Sequence, residues 1–573
     1  MDPSLDRGQR LLEGDAPEEV VFAYHERTKH HFDRYAASAG MMDWATQPNP
    51  FRRYAGAELV RLPLPQDPGR AVPFWQLYVA GSVAPAPLSI ASVSLFFRYA
   101  LSLTAWKRLR GTTWSLRANP SSGNLHPTEG YAVLPALDGL HDGPAVHHYA
   151  PREHGLERRA DLDPAAWSAL MAGFPTGSFL VGLSSIHWRE AWKYGERAFR
   201  YCQHDAGHAL AAMRFSAAAL GWQLVLLTDV GDAGVSAILG LDREVDGERT
   251  EREHPDMVAA VAPATPDGSA RIPRGLAEDV LRAVGTAPWH GSANALSPAR
   301  VDWAVIDEVA RATHRESEPR AREDLSRFAS EDELFAPLVR SGSFSADKVI
   351  LGRRSAVSMD GSTSIPAETF FRMLGRLVPT RDGHSMPWDA IPWRPRIHLA
   401  LFVHRVRGLA PGLYALARDP DKVEALRTEM GRDFLWQRPP SCPPGLHLYL
   451  LEEGDCQALA AAVSCGQDIA GDGAFSLGMI ADYAESIGTY GAAFYRNLFW
   501  EAGAVGHVLY LEAEEAGIRA TGIGCYFDDP VHQVFGLPRT WQSLYHFTVG
   551  GPVEDVRLTT LPGYGHDGLV ATR

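Results

Sequence analysis

Tyr194-Gly195-Glu196-Arg197-Ala198-Phe199-Arg200-Tyr201-Cys202-Gln203-His204-Asp205-Ala206-Gly207 can be laid, without a gap, on Tyr490-Gly491-Ala492-Ala493-Phe494-Tyr495-Arg496-Asn497-Leu498-Phe499-Trp500-Glu501-Ala502-Gly503. The offset is 296 residues (490 − 194). It pairs Arg200 with Arg496, Asp205 with Glu501, and Ala206-Gly207 with Ala502-Gly503. It also pairs Gly221 with Gly517, each a stop signal for a long helix. Earlier in the chain, a strand-like segment ending at Tyr149 resembles one ending at Tyr414. The period is far too long for a solenoid. It reads as duplication: two copies of one α+β domain, held together as an intramolecular pseudo-dimer. Chance similarity of two alanine-rich helices is the alternative, but the glycines and the acidic-Ala-Gly step recur at identical spacing.

Length and composition agree with this organisation. A chain of 573 residues is too long for one hydrophobic core, so two or more domains are expected. The net charge of −14 argues against nucleic acid or an anionic membrane as the main partner. An anionic ligand would need a local cluster of arginines. Apolar runs are interrupted, Ser94–Leu103 by Arg98 and Ile397–Leu409 by His398, His404, Arg405 and Arg407, so no membrane span is expected. The stretch Met1–Asp6 is acidic and lacks the apolar core of a signal peptide. Cysteines 202, 442, 456, 465 and 525 are scattered without a CxxC pair. That suggests reduced thiols in a cytoplasm, not a disulfide frame or zinc site.

Local patterns place the elements. Val20–Ala37 carries His25, His30 and His31, but His25 and His30 are five residues apart, so a solvated amphipathic helix is expected, not a metal pair. Leu88–Lys107 has helical spacing. Strands are expected at Gly130–Leu134, His147–Tyr149, Phe179–Leu183 and Leu224–Leu227, and in the second half at Arg396–His404, His447–Leu451, Ile523–Phe527 and Leu544–Val549. Long helices should run from about Tyr194 to Leu220 and from Tyr490 to Ala516. Between the halves lie the connector Ala264–Arg274, an amphipathic helix over Trp303–Arg315 and the charged stretch Glu316–Glu333. The expected boundaries are an N-terminal domain over residues 1–262, a connector with a helix over 263–344, and a C-terminal domain over 345–573. His204 and His208 stand at i and i+4 around Asp205, but their repeat positions hold Trp500 and Ala504 and no third ligand is evident. Packing histidines are expected, and no metal.

One loop stands apart from this plan. Pro120-Ser121-Ser122-Gly123-Asn124-Leu125-His126-Pro127 sets two hydroxyls, a glycine and an amide between prolines that forbid a helix interior. Such a loop suits the polar edge of a planar ligand, with close backbone approach at Gly123. An ordinary turn with a serine helix cap is the competing reading.

Four strings in order carry a family resemblance: PSSGNLHPTEGY at 120–131, WKYGERAFRY at 192–201, GRRSAVSMDG at 352–361 and GIGCYFDDPV at 522–531. With the repeat, they resemble the nitroreductase-like flavoprotein superfamily, in its SagB-type (azoline oxidase/dehydrogenase) branch. The resemblance implies two domains, each a central antiparallel sheet flanked by helices, with FMN at the seam. It implies that Pro120, Ser121, Ser122 and Asn124 meet the flavin edge and that Arg353 and Ser355 hold the phosphate. Ile523 and Gly524 would bring backbone to the flavin, and Arg557 would add a C-terminal phosphate contact. A second basic residue of the family pattern falls on Val357 here, so phosphate binding would lean on Arg354 or Arg557. The loop belongs to the first half and the Arg-x-Ser motif to the second, so they form one cross-copy site; a reciprocal Arg-x-Ser near residue 98 and Pro-Ser-x-x-Asn near 380–395 are missing. One FMN per chain is expected. No GxGxxG follows a strand, which argues against a Rossmann domain.

Lys193-Tyr194 matches the Lys-Tyr pair of azoline oxidases, where the resemblance implies proton abstraction while hydride passes to the flavin. A nearby ammonium would lower the tyrosine toward useful basicity. The competing reading is a surface lysine beside a packing tyrosine, since Tyr490 recurs without lysine. The leading function is an FMN-dependent oxidoreductase, oxidising a small molecule or modified peptide from azoline to azole in natural-product biosynthesis, alongside a biosynthetic partner enzyme. An NAD(P)H-dependent reductase of nitro compounds, quinones or enones, and a flavin-free structural relative, are the alternatives.

Overall fold

The computed structural model describes residues 16–64, 72–243, 251–265, 272–335, 344–430 and 433–565. Met1–Asp6, residues 266–271 of the connector and residues 336–343 beside the expected second boundary lie outside the described residues.

Two antiparallel sheets make the frame. The first contains β1 (Leu59–Arg61), β2 (Thr128–Leu134), β3 (Ala145–Ala150), β4 (Gly155–Asp161), β5 (Phe179–Ser185), β6 (Trp222–Leu226) and β7 (His254–Pro263), in the order β1-β4-β3-β2-β5-β7-β6. The second contains β8 (Ile397–Val403), β9 (Gly412–Leu416), β10 (Leu448–Glu453), β11 (Phe475–Ala481), β12 (Arg519–Ile523) and β13 (Gln542–Gly550), in the order β10-β9-β8-β11-β13-β12. Setting aside the edge strand β1, the orders match strand for strand. A local irregularity recurs too: register slips between Pro255 and Met257 where β7 meets β5, and between Met479 and Ile480 where β11 meets β13. The chain therefore folds as two α+β domains of one topology, forming an internal pseudo-dimer.

Four helices join the halves: α1 (Pro17–Arg27), α2 (Ala198–Ala219), α3 (Ala304–Ala312) and α4 (Phe494–Glu515). The expected long helices begin later than their patterns suggested. Breaks at Gly195 and Gly491 split off preceding helices, His187–Tyr194 and Tyr483–Tyr490. Nearly every residue of α2 and α4 is buried, because each is covered by its own sheet and by the other helix. They cross at Gly207 and Gly503. A Cβ on Gly207 would lie 2.2 Å from the Trp500 carbonyl oxygen, and one on Gly503 2.2 Å from that of His204. Glycine costs a helix interior about 1 kcal/mol relative to alanine, so close backbone approach explains both.

The ends of the halves are exchanged. Residues after α1 reach the second half, where Asp528 Oδ2 accepts the His30 N–H at 2.9 Å and Asp528 N–H donates to the His30 carbonyl at 3.2 Å. After α3 the same pair of bonds forms in the first half, Arg315 N–H to Asp232 Oδ2 at 3.1 Å and Asp232 N–H to the Arg315 carbonyl at 2.8 Å. A buried arginine from the opposite long helix completes each: Arg200 donates to Asp528 Oδ1 at 2.7 Å, and Arg496 to Asp232 Oδ2 at 2.6 Å. The C-terminal strand Thr559–Pro562 returns to pair with Leu103–Leu109 of the first half.

Several expectations are corrected. The amphipathic helix expected over Val20–Ala37 is α1 and ends at Arg27; its outer face is exposed, but His25 is buried against Tyr495 and Gln542 of the other half. Leu88–Lys107 divides into a helix, Ile90–Ala100, held by a Ser89 capping box, and a strand from Leu103. Strand β7, covered on both faces, had no alternating pattern to reveal it. The expected strand Ile523–Phe527 lies earlier, ending at Ile523, so Gly524-Cys525 leaves the sheet as a loop. No helix among the described residues is long and apolar enough to cross a membrane.

The crossing yields a test with a diagnostic sign. By helix propensity alone Gly207→Ala stabilises by about 1 kcal/mol; the backbone contact reverses this, and urea denaturation should show a loss of about 1–3 kcal/mol or more.

Candidate active site

A cavity of about 460 Å³ opens at the seam, within the range of small-molecule and cofactor sites. Its first-half wall is the loop Pro120–Asn124 with Tyr194 and Tyr201; its second-half wall is Arg353–Val357, Gly522–Cys525 and Tyr545. The structure thus brings together Pro120, Ser121, Ser122, Asn124, Tyr194, Arg353, Arg354, Ser355, Ile523 and Gly524.

The loop is shaped by its own bonds. Ser121 Oγ accepts the His126 N–H at 2.8 Å, and Asn124 Nδ2 donates to the Ser115 carbonyl at 2.9 Å. Both the N–H and the hydroxyl of Ser122 donate to Asp205 Oδ1 at 2.9 Å. Left-handed backbone at Gly123, with φ +56°, lets the chain turn, and a Cβ there would lie 2.6 Å from Tyr194 Oη and 3.2 Å from Lys193 Nζ. Lys193 is not in the cavity wall itself; its ammonium lies behind Gly123, 5.0 Å from the Tyr194 ring centroid. The serines therefore anchor the loop to α2 as much as they face a ligand.

Cations gather on the opposite side. Arg353 is buried; its Nε donates to the Ala118 carbonyl and its Nη2 to the Arg117 carbonyl, each at 3.1 Å, while Nη1 is buried without a partner. Burial pushes Arg353, Arg354 and Arg117 each down to about 10, with the Arg353 charge adding to the effect on Arg354. Burial lowers Arg519 and Lys107 as well. Five cations lining one cavity, all destabilised as cations, form a site that gains by receiving an anion. Ser355 Oγ lies 2.9 Å from Tyr510 Oη, which also accepts the Gly522 N–H at 2.9 Å, so Tyr510 ties the phosphate-type motif to the end of β12. There the backbone is bare for a reason: a Cβ on Gly524 would meet the Tyr201 ring at 2.4 Å.

Arg557 is not brought to this cavity. Its guanidinium forks onto Asp555, at 2.8 and 2.7 Å, and its side chain is 68% exposed. Arg519 and Arg117, unremarked in the sequence, line the cavity instead. Arg117 could have been suspected from its place just before the loop; Arg519 had no signal. Asp205 appeared only as a repeat position, and its role emerges from the Ser122 bonds.

The expected direction for Tyr194 is reversed. Burial first, then the negative charge of Glu190, raises its phenol well above the ordinary value, so it is a neutral donor. Glu190 itself is buried with both oxygens unpartnered and is raised by burial and by Asp205. Burial pushes Asp205 up to about 7 against the opposing bonds from Ser121 and Ser122. His204 stacks on Tyr545, centroids 4.2 Å apart, and His208 Nε2 lies 3.3 Å from its hydroxyl, so both pack as expected.

At the pseudo-symmetric position, around Tyr490, the pocket is about 230 Å³. Trp393 and Thr228 stand in its wall, with Arg315, Glu316 and Arg320 from the segment after α3; Arg315-Glu316-Ser317 is an Arg-x-Ser string, but it does not lie near residue 98, where the reciprocal motif is expected. Glu501, the partner of Asp205 in the repeat, accepts the backbone N–H groups of Arg396 and Ile397 at 3.1 Å and pairs with Arg418.

Asp205 gives a pH test. Its folded value is raised above the unfolded one, so the folded state holds the proton more tightly and this residue lowers stability as pH rises from about 4 toward 7. Asp205→Asn should flatten the decline, changing the difference in unfolding free energy from wild type by up to about 1.4 kcal/mol per pH unit, read by denaturation at several pH values.

Comparison with known proteins bears on this geometry. Residues 420–551 match the model of the Nitroreductase family. A candidate nitroreductase from Anabaena variabilis superposes with a TM-score of 0.65 at 21% identity, covering 93% of this chain and 99% of that one. A candidate nitroreductase from Ralstonia eutropha matches 40% of this chain and 97% of its own, with TM-score 0.26 and 15% identity. The E. coli microcin synthetase McbBCD, in complex with truncated pro-MccB17, matches 45% of this chain and 85% of the compared chain, with TM-score 0.25 and 16% identity. No curated protein sequence matches. The family match is confined to residues 420–551, and along nearly its whole length the fold is like that of the candidate nitroreductase from Anabaena variabilis.

Proposed function

We propose that the chain is an FMN-dependent oxidoreductase binding one flavin at the seam of its two halves. The observation that carries this reading is the meeting of the Pro120–Asn124 loop and Arg353 in one cavity, from positions 233 residues apart (353 − 120). The unpartnered Arg353 Nη1, the surrounding cations and the bare backbone at Gly522 and Gly524 fit a phosphorylated planar cofactor. Arg353, Arg354 and Ser355, with Arg519 in place of Arg557, would hold the phosphate; the Ser121–Asn124 loop and the Ile523-Gly524 backbone would border the ring. Bound there, FMN would supply hydride transfer. We place the start of the second repeat at α3 instead of residue 345, because α3 stands to the first half as α1 stands to the second.

For the reaction, the Lys193-Tyr194 pair supports a SagB-like dehydrogenase acting on an azoline-type ring in a small molecule or modified peptide. Tyr194 Oη faces the cavity and Lys193 lies behind the loop, so the phenol is the group that exchanges a proton with a substrate and the ammonium is its charged support. A phenol held neutral also suits proton delivery, which favours a second reading: an NAD(P)H-dependent reductase of nitro compounds, quinones or enones.

Purified protein should show a flavin visible spectrum and release about one FMN per chain. Arg353→Ala should lose flavin, whereas Lys193→Ala should keep it and lose about 10²-fold or more in turnover. A colourless chain that cannot be reconstituted refutes the enzyme reading in favour of a scaffold. Rapid anaerobic bleaching by NADH or NADPH selects the reductase.

A further inference from the structure

A second cavity is larger than the one at the flavin loop. It measures about 750 Å³ and lies in the first half, between the helix His187–Tyr194, the start of β7 and α3. Its position in the pseudo-dimer is informative, because the equivalent place in the second half is filled by the chain itself. There the His25 ring of α1 lies against Tyr483, centroids 4.7 Å apart and the planes tilted by 36°, with Nδ1 3.1 Å from Tyr495 Oη and Nε2 3.1 Å from Gln542 Oε1.

Each wall of that ring slot has a counterpart in the first half. Tyr483 corresponds to His187 and Tyr495 to Phe199, both at the 296-residue offset. Gln542 corresponds to His254, since each pairs with the last residue of the adjoining strand, Ala481 and Ser185. The residue standing where His25 stands is Ala310: it precedes Thr313 by three positions as His25 precedes Thr28, and both threonines cap their helix by bonding back to the residue four before. Alanine leaves the slot open, and Ala310 lines the cavity.

The open slot has the surfaces of a ring-binding site. His187 and His254 stack face to face, centroids 3.9 Å apart and 14° from parallel. Both nitrogens of His187 are buried without hydrogen-bond partners, although the residue is only 6% exposed. Asp232 uses Oδ2 for Arg496 and the Arg315 N–H, while its buried Oδ1 makes no hydrogen bond and has only the Arg315 guanidinium 3.7 Å away. Buried polar groups without hydrogen bonds are destabilising, so the cavity favours an occupant with both donors and acceptors. Water can supply these, but it cannot stack on parallel imidazoles.

We infer that this cavity is a second ligand site, binding a neutral planar nitrogen heterocycle where the His25 imidazole sits in the other half. It is separate from the flavin cavity and does not depend on the oxidoreductase reading.

Imidazole itself is the probe, used on the full-length protein under mildly alkaline conditions where the free ring is neutral, with binding followed by calorimetry and by thermal shift. Wild type should bind it and melt higher. Ala310→His, which supplies the ring in place, should raise the melting temperature and weaken imidazole binding by about tenfold or more. His187→Ala should weaken it by a similar factor while leaving flavin content unchanged. Absence of imidazole binding to wild type, or undiminished binding to both variants, overturns the inference. Equal stabilisation by toluene overturns it too, because the cavity would then be an apolar void.

Discussion

Two helix backbones touch at the centre of this molecule, and most of its architecture depends on that contact. Gly207 and Gly503 let α2 and α4 approach until each glycine lies against the carbonyl oxygen of a residue on the opposite helix. Any side chain at either position would push the helices apart, and with them the sheets they carry. Trp500 fills the flank of the crossing, its indole N–H donating to Gln203 Oε1 at 2.7 Å. The contact is close-packed and unforgiving, as interiors are, so the relative placement of the halves is rigid. The cavity at their seam inherits that rigidity.

Electrostatics reinforces the same geometry. Asp528 binds Arg200 from α2 and Arg197 just before it, and Asp232 binds Arg496 from α4, all with little exposure to water. Buried ion pairs of this kind contribute little net stability against an apolar alternative, but breaking one strands a charge in a poor solvent. Their value is in specifying a register: each aspartate also receives the backbone that follows α1 or α3. A segment from each end of one half is thereby locked onto the other.

The seam cavity combines opposite demands. On one side burial suppresses negative charge, raising Asp205, Glu190 and Tyr194; on the other it strains positive charge, lowering Arg353, Arg354 and Arg117. An occupant with an anionic tail and a planar, uncharged head satisfies both sides. The division of labour between the repeats accounts for part of this polarity: Arg353, Arg354 and Arg519 come from the second half, whereas Arg117 and Lys107 come from the first, as the loop does.

Much of this was legible in the linear chain. Helix stops, the acidic-Ala-Gly step and the spacing of the four strings are local properties, written in periodicity and in residues with special backbones. They were sufficient for the α+β class and the pseudo-dimer, while the pairing of Pro120–Asn124 with Arg353 was implied by the family resemblance that the strings carry. Burial and long-range proximity are not local, and the chain concealed what depends on them. The strand β7, covered on both faces, lacked alternation. Arg519 joined the cavity and Arg557 turned away to Asp555 because of packing between distant segments. The Tyr194 phenol rose instead of falling because desolvation and Glu190 outweigh the neighbouring ammonium. The Ala310 slot became visible only when His25 was seen in its counterpart. Sequence determined which residues the two halves possess; tertiary structure decided which of them meet, and in what dielectric.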